Sequence, residues 1–496
     1  MKILPVFVII PLGAAFLISL LGKRIRNMPD ILANLGTLFL LLFSLYSIPL
    51  VRIQKVLVYK VGGWLPPIGI AMVMDGLTSF MLITVNLVSF LVSIYAISYM
   101  QKYTDKWKFY TLFMLMLAGM NGIIITGDLF NLFVFLEIAS IASYALVAFG
   151  TEAEELEASF KYAIMGSIAS SFILLGIALL YSYTSTLNMA DMALVLSNKP
   201  AGLLIKFASA LFLMGFGLKA ALVPFHAWLP DAHPSAPAPI SAMLSGVLIK
   251  VLGVYAIIRI SFNILGIDNT ILYIFMLLGI VSMLVGVILA LSQWDFKRLL
   301  AYHSISQIGY VILGIGLGTP LGILGGLFHL FNHSMFKSLL FLNSGAIDYS
   351  AGTRDLQKMG GLREKMPVTA NTNLAASMAI AGVPPFNGFF SKLIIIMACV
   401  QAHRYGYALG AVLASILTLA SFMKVQRYAF FGKLNEKWQG IKEVPLTMKF
   451  SMIILAVICL LTSLFMAPSV EPFLTSAVDV LLSGQGYIQN VLGAIK

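Results

Sequence analysis

The sequence predicts an all-α polytopic membrane protein, and three observations predict it. Of 496 residues, 60% are hydrophobic and 10% are charged, whereas an ordinary soluble domain carries about 25% charged residues. The apolar residues gather in runs of about 20, the length that crosses a hydrocarbon layer as helix. The few charges inside those runs stand alone: Lys219 is the only charge in LFLMGFGLKAALVPF, just before Pro224.

Candidate spans begin near residues 3, 30, 69, 109, 129, 158, 203, 236, 270, 297, 320, 369, 405 and 446, about fourteen by the length criterion. The first, Ile3 to Leu21, follows one lysine and precedes Lys23, Arg24 and Arg26. A signal peptide has its charges first and a cleavage site after, so this run is expected to be a retained span. The third run, Gly69 to Met100, is long enough to be tilted or to extend past the bilayer. Glu152, Glu154, Glu155 and Glu157 precede the run near residue 158. Acids suit a helix N-terminus, with docking to a basic partner as the alternative. GIGLGTPLGILGG lacks GxGxxG spacing and reads as a break between two spans, not as a nucleotide loop. Val223-Pro224-Phe225 and Pro384-Pro385-Phe386 read as paired helix breaks, with Lys219 just before one and Lys392 just after the other. Proline weakens a helix, and such breaks are tolerated in a membrane where they line a cavity.

Charge orients the chain. Lys23, Arg24, Arg26, Lys102, Lys106, Lys108, Lys297, Arg298, Arg354, Lys358, Arg363, Lys365 and the lysines and arginines from Lys424 to Lys449 would share one side. Lys2, Arg52, Lys55, Lys60, Lys199, Arg404 and Lys496 would share the other. The richer side is cytoplasmic, which puts both termini outside. The same rule accounts for the net charge of +12 without nucleic acid. Cys399 and Cys459 lie in separate apolar runs with no CxxC spacing, so neither disulfides nor iron–sulfur ligation is expected.

The isolated intramembrane charges carry the functional expectation. Glu137, Lys219, Lys250, Lys337 and Lys392 would together cost roughly 15 kcal/mol if each faced lipid, so they are expected to face one another or water. Glu137 is the expected partner of Lys219. Proximity favours both charges and burial opposes both, which leaves a pair that a third charge can flip. A protonated, hydrogen-bonded structural carboxylate is the alternative for Glu137. His329, His333 and Lys337 recur at i, i+4 and i+8 and share one helix face. That face reads as a proton relay; a polar packing seam or a metal site are the alternatives, and no carboxylate or cysteine completes the latter. Lys250 is too deep to reach an interface, whereas Arg259 is placed to snorkel. Lys392 would sit near the positive end of a new half-helix. PFHAWLPDAHPSAPAP, with His226, Asp231 and His233, reads as a membrane-face turn and not a metal loop, and its histidines as a site of proton uptake.

HAWLPDAHPSAPAPISAMLSGVLIK, GDLFNLFVFLE, DFKRLLAYHSISQIGY, HLFNHSMFKSLLFLNSG and AGVPPFNGFFSK together resemble the antiporter-like subunits. These are the L, M and N type subunits of respiratory complex I, the D-type subunits of Mrp sodium/proton antiporters, and relatives in membrane-bound hydrogenases. The resemblance covers roughly Asp75 to Lys392. It implies fourteen helices with two inverted five-helix repeats, each with a broken helix. The chain would then divide into residues 1–108 (three N-terminal helices), 109–262 and 263–432 (the repeats) and 433–496 (a last helix and tail). The family's fifth-helix glutamate matches Glu137, its seventh-helix lysine Lys219, its eighth-helix lysine Lys250, its eleventh-helix lysine or histidine Lys337 with His333 and His329, and its twelfth-helix charge Lys392. Complex I M-type subunits usually carry glutamate at that last position. L-type subunits continue into a long lateral helix, for which about thirty residues after the last strong span are too few. The D-type subunits of Mrp antiporters and their hydrogenase-like counterparts are the closer resemblance.

The expected function is a proton-translocating, potentially sodium-exchanging, subunit of a larger membrane complex, with other membrane subunits, the lipid bilayer, H+ and Na+ as partners. Protons would be taken up from the cytoplasm near Lys250, pass His329, His333 and Lys337, and leave near Lys392, with Glu137 and Lys219 as the switch. No redox motif, cofactor or metal is expected in this chain. The rival expectations are an autonomous secondary antiporter and a non-transporting anchor for a redox arm.

Overall fold

The computed structural model describes residues 3–198, 202–463 and 471–495. Lys2, Lys199 and Lys496, expected among the outer charges, lie outside the described residues. The first helices are α1 (Val6–Leu21) and α2 (Met28–Gln54), followed by a hairpin of β1 (Leu57–Lys60) and β2 (Ala71–Met74) paired from Leu57↔Met74 to Lys60↔Ala71. The hairpin corrects the expected third span. Residues 71–74 are extended, and α3 (Gly76–Tyr99) starts only after Asp75, whose carboxylate accepts the Thr78 N–H at 2.9 Å as an N-cap.

Next come α4 (Lys106–Ile125), α5 (Leu129–Val147) and α6 (Ala153–Thr184). Asp128 caps α5 through the Asn131 N–H. Glu152 and Glu155 form a capping box at the start of α6, so those two acids of the TEAEELEASFKY stretch satisfy the helix end. Then follow α7 (Met189–Ser197), α8 (Leu203–Lys219), the short α9 (Leu229–Ser235) and α10 (Ala238–Ile264). Much of α10 is wound as π-helix, over Leu244–Leu248, Lys250–Tyr255 and Ile260–Ile264. The chain continues through α11 (Asn269–Leu291), α12 (Phe296–Gly316), α13 (Pro320–Ala351), α14 (Pro367–Ala381), α15 (Asn387–Gln401) and α16 (Tyr405–Phe430). It closes with α17 (Leu446–Leu461), α18 (Glu471–Leu482) and α19 (Gly484–Ile495).

Among the described residues, nine helices are long and apolar enough to cross a membrane. Side chains on the outer surface are apolar: Phe160 on α6 is 66% exposed and Leu409 on α16 61%. An exposed apolar belt of this extent belongs against lipid. Many polar side chains lie buried inside, among them Asn86, Asn121, His303, Gln307 and Asn332, which reverses the soluble pattern. At the centre α10, α12 and α13 are almost wholly buried. Small residues let the helices meet closely: a Cβ on Gly279 of α11 would fall 2.7 Å from the Leu313 nitrogen of α12.

Candidate functional site

Lys219 is the last residue of α8, where the chain breaks before Pro224. Its Nζ donates to Ser140 Oγ at 3.0 Å and to Tyr144 OH at 3.3 Å, both on α5. Glu137 Oε1 lies 4.0 Å away; the lysine side chain is 3% exposed and the glutamate side chain 31%. Ser170 of α6 donates to the same carboxylate oxygen. The pair is therefore a loose contact within a hydroxyl cluster, open on the carboxylate side. Behind it, Tyr144 meets Tyr162 edge-on and Tyr162 stacks on Trp228, whose indole N–H donates to the Leu218 carbonyl at the frayed end of α8. That aromatic stack fixes the break.

Lys250 is fully buried in the π-helical part of α10. Its ammonium donates to the Ser245 and Gly246 carbonyls, at 2.5 and 2.6 Å. π turns are frequent at functional sites. Lys337 on α13 is also fully buried; it donates to the Leu300 carbonyl of α12 and stands 5.4 Å from the Phe341 ring centre. Lys392 on α15 reaches back across the second break. It donates to the Ile380 carbonyl at 2.7 Å and to Ser415 Oγ at 3.3 Å, 4.7 Å from the Tyr310 ring centre. A half-helix, α15, does start just before it at Asn387, but the ammonium itself turns back to the carbonyl end of α14. Gly382, at φ +79°, ends α14, and the last carbonyls of a helix lack intrahelical donors, so the ammonium takes one of them.

None of these three ammonium groups has an ion pair among the described residues. The expectation that the buried charges pair with one another holds in the geometry only for Glu137 and Lys219. Main-chain carbonyls and hydroxyls do the work elsewhere.

The histidine face joins these lysines. His329 contacts Ser391 Oγ at 2.9 Å and Gln307 Oε1 at 3.2 Å, and its ring lies 5.3 Å from that of Tyr310. His333 lies nearly parallel to His329, 6.3 Å away, with both ring nitrogens buried and unpartnered among the described residues. From His329 the contacts run through Tyr310 and Ser391 to α15 and Lys392. On the other side Lys337 and His233 flank one ring, Phe341, with His233 stacked on it at 4.8 Å.

The remaining candidates separate. His233 is buried, while His226 is half-buried in the break and Asp231 forms ion pairs with Lys161 and Arg298 near the surface. The expected turn there is partly helical, as α9. Arg259 does not snorkel. It is buried and pairs bidentately with Asp75 at 2.7 and 2.9 Å, with Tyr487 of α19 over its guanidinium at 5.4 Å. It anchors α10 to the capping turn of α3, away from the histidine face.

Sequence reasoning missed Asp75, Tyr310, His303 and Lys297. His303 is buried on α12 with Ser421 Oγ 2.8 Å from Nε2. Lys297, expected in a loop, is buried, with Nζ on the Ala236 carbonyl at 2.6 Å. The spacing of His303, Gln307 and Tyr310 along AYHSISQIGY was the available signal. No group of three or more histidine, cysteine or carboxylate side chains among the described residues is arranged to hold a metal ion.

Residues 126–418 match the family described as NADH:quinone oxidoreductase/Mrp antiporter, TM, and residues 64–110 match NADH-ubiquinone oxidoreductase (complex I), chain 5 N-terminus. The chain is 35% identical to the D-type Na(+)/H(+) antiporter subunit of Alkalihalophilus pseudofirmus, over 98% of this chain and 99% of that one. It is 37% identical to the N-type NADH-quinone oxidoreductase subunit of Desulforudis audaxviator, over 76% of each. Its fold is similar to a chain of the Mrp complex from Dietzia sp., with a TM-score of 0.91 and 30% identity over 99% of both chains. It is equally similar to a chain of the membrane-bound sulfane sulfur reductase, an archaeal respiratory membrane complex, with a TM-score of 0.90 and 30% identity over 99% of this chain and 100% of that one.

Proposed function

The chain belongs to the NADH:quinone oxidoreductase/Mrp antiporter transmembrane family, and from that premise we propose that it is a proton-translocating subunit of a multisubunit Mrp-like antiporter or a related respiratory complex. Its partners would be other membrane subunits, as in the complexes that its structural relatives come from. In this reading the membrane domain has fourteen helices, with inverted repeats over residues 109–262 and 263–432 and both termini outside. Na+ is the counter-ion to test first, given the name of the D-type antiporter relatives.

One observation carries the proposal: four titratable side chains and a tyrosine form a buried row from Lys337 and His333 through His329 and Tyr310 to Lys392, and His333 lies within electrostatic reach of Lys250 and Lys337. A structural anchor gains nothing from burying three ammonium groups on carbonyls and a hydroxyl, because each is costly in a membrane. Protons would be taken up near Lys250, with His226, Asp231 and His233 on the cytoplasmic side, and handed along the row. A histidine with two unpartnered nitrogens is suited to the transfer, since either ring nitrogen can receive or donate. The Glu137–Lys219 pair would set the affinity of the middle site through its charge. At 4.0 Å the attraction is on the order of 4 kcal/mol for an effective dielectric of about 20, and less while the carboxylate stays open. Opening or closing that contact would then change what Lys250 experiences.

Proton uptake by everted membrane vesicles carrying the assembled complex tests this. Lys219→Ala and Glu137→Ala are each expected to reduce cation-driven proton movement about tenfold or more, one factor of ten per 1.4 kcal/mol lost. Full transport in both would rule the mechanism out.

A further inference from the structure

A cavity of about 510 Å³ opens between helices at the end of α2. Its walls come from α2, α3, α13, α17 and α18, and include Leu45, Phe80, Leu87, Phe328 and Ile458. The lining is almost entirely apolar, with Arg52 as its one charged residue. Arg52 lies at the end of α2, is exposed, and has no ion pair or hydrogen bond among the described residues. Lys55 follows one turn later and is also exposed.

Depth decides what such a site can take. The cavity wall on α3 runs from Gly76 to Leu87, about 16 Å at 1.5 Å per residue. That is about half the hydrocarbon thickness. On α2 the wall rises from Leu45 to Arg52, so the guanidinium sits at the shallow end and the apolar floor lies inward. The shape is a slot as deep as one leaflet, apolar along its length, with a forked cation at its mouth. A soluble metabolite would not match that lining, and a bare acyl chain would leave the arginine unanswered. Arginine's fork matches phosphate oxygens in a bidentate geometry.

We propose that this cavity is a binding site for one anionic phospholipid, its acyl chain in the slot and its phosphate on Arg52. The occupied slot would brace α13 from behind, because Phe328 and Phe331 line the cavity while His329 on the same helix faces the buried row. The inference does not depend on proton transport.

The full chain purified in detergent, washed free of lipid and titrated with phosphatidylglycerol or with phosphatidylcholine of the same acyl chains, tests it by native mass spectrometry. The expected result is one tightly retained phosphatidylglycerol, held at least about tenfold better than phosphatidylcholine, whose phosphate is balanced by a choline cation that the exposed Arg52 and Lys55 repel. Arg52→Gln should abolish that preference while leaving weak retention of both lipids. Leu87→Trp, which fills the slot, should abolish retention of both. The thermal midpoint of each variant without lipid shows that it folds. Equal retention of the two lipids by the unaltered chain, or unchanged preference in both variants, would overturn the proposal. So would protein density filling the slot in a structure of the assembled complex.

Discussion

Lys219 and Lys392 stand beside the two proline breaks of the chain and are held in opposite ways. Lys219 ends the helix before its break and is held by hydroxyls, with a half-open carboxylate 4.0 Å away. Lys392 follows its break and is sealed against a helix-end carbonyl, a serine and a tyrosine ring, with no ion pair among the described residues. A cation whose counter-ion lies open at the protein surface can be tuned from outside the chain. One enclosed by carbonyl dipoles responds only to its buried neighbours. In the proposed mechanism the first site would receive a signal and the second would end the path.

Substitutions can break or sharpen that contrast. The largest effect calibrates both sites from outside. Arg259→Ala leaves Asp75 buried without its bidentate partner and should cost roughly 3–5 kcal/mol of stability, measured by denaturant or thermal unfolding in detergent. Glu137→Gln, at an open contact, should cost no more than about 1 kcal/mol. A comparable loss in both would mean that the Glu137 pair is a structural clamp like Asp75–Arg259.

Reversing charge comes next. Lys219→Glu would place two carboxylates side by side and should lower proton transport at least about 100-fold, some 2.7 kcal/mol of barrier. Lys392→Glu should stay within about tenfold of the unaltered protein, because a protonated carboxyl can still donate to the Ile380 carbonyl. Equal losses would erase the distinction between the sites. A double-mutant cycle gives a smaller and sharper number. Glu137→Gln with Lys219→Met should show a coupling of about 0.5–3 kcal/mol in transport, and Glu137→Gln with Lys392→Met should be additive within about 0.5 kcal/mol. The smallest effect is expected at Tyr310. Tyr310→Phe removes the hydroxyl bonded to the Ala411 carbonyl but keeps the ring under Lys392, and should change transport less than Tyr310→Leu does.

Helix positions were legible because composition leaves little choice in a membrane. Most helix starts fall within a few residues of the expected span starts, from Leu129 of α5 to Leu446 of α17. The hairpin before α3 was not legible, since Ala71–Met74 continues the apolar run in one dimension and only its pairing with Leu57–Lys60 makes it a strand. The π-winding of α10 over Leu244–Leu248, Lys250–Tyr255 and Ile260–Ile264 carries no signal in the apolar pattern either. Isolated intramembrane charge picked out Glu137 and the lysines, because such charge is rare and costly. The groups that hold them were out of reach. Ile380 and Leu300 contribute carbonyls, which every residue has, and Asp75 lies 184 positions from Arg259. Lys297 escaped notice because a lysine next to Arg298 looks like a loop charge until the helix shows which of the two points inward.

Lys337 is the residue at which proton passage along the buried row is tested most sharply. It is fully buried and bound through its ammonium to a single carbonyl. The measurement is proton transport by vesicles containing the assembled complex with Lys337→Ala, with assembly verified by co-purification of its subunits. The account predicts an intact complex in which proton movement falls by at least about tenfold, the equivalent of 1.4 kcal/mol. An intact complex that moves protons at the unaltered rate would contradict it.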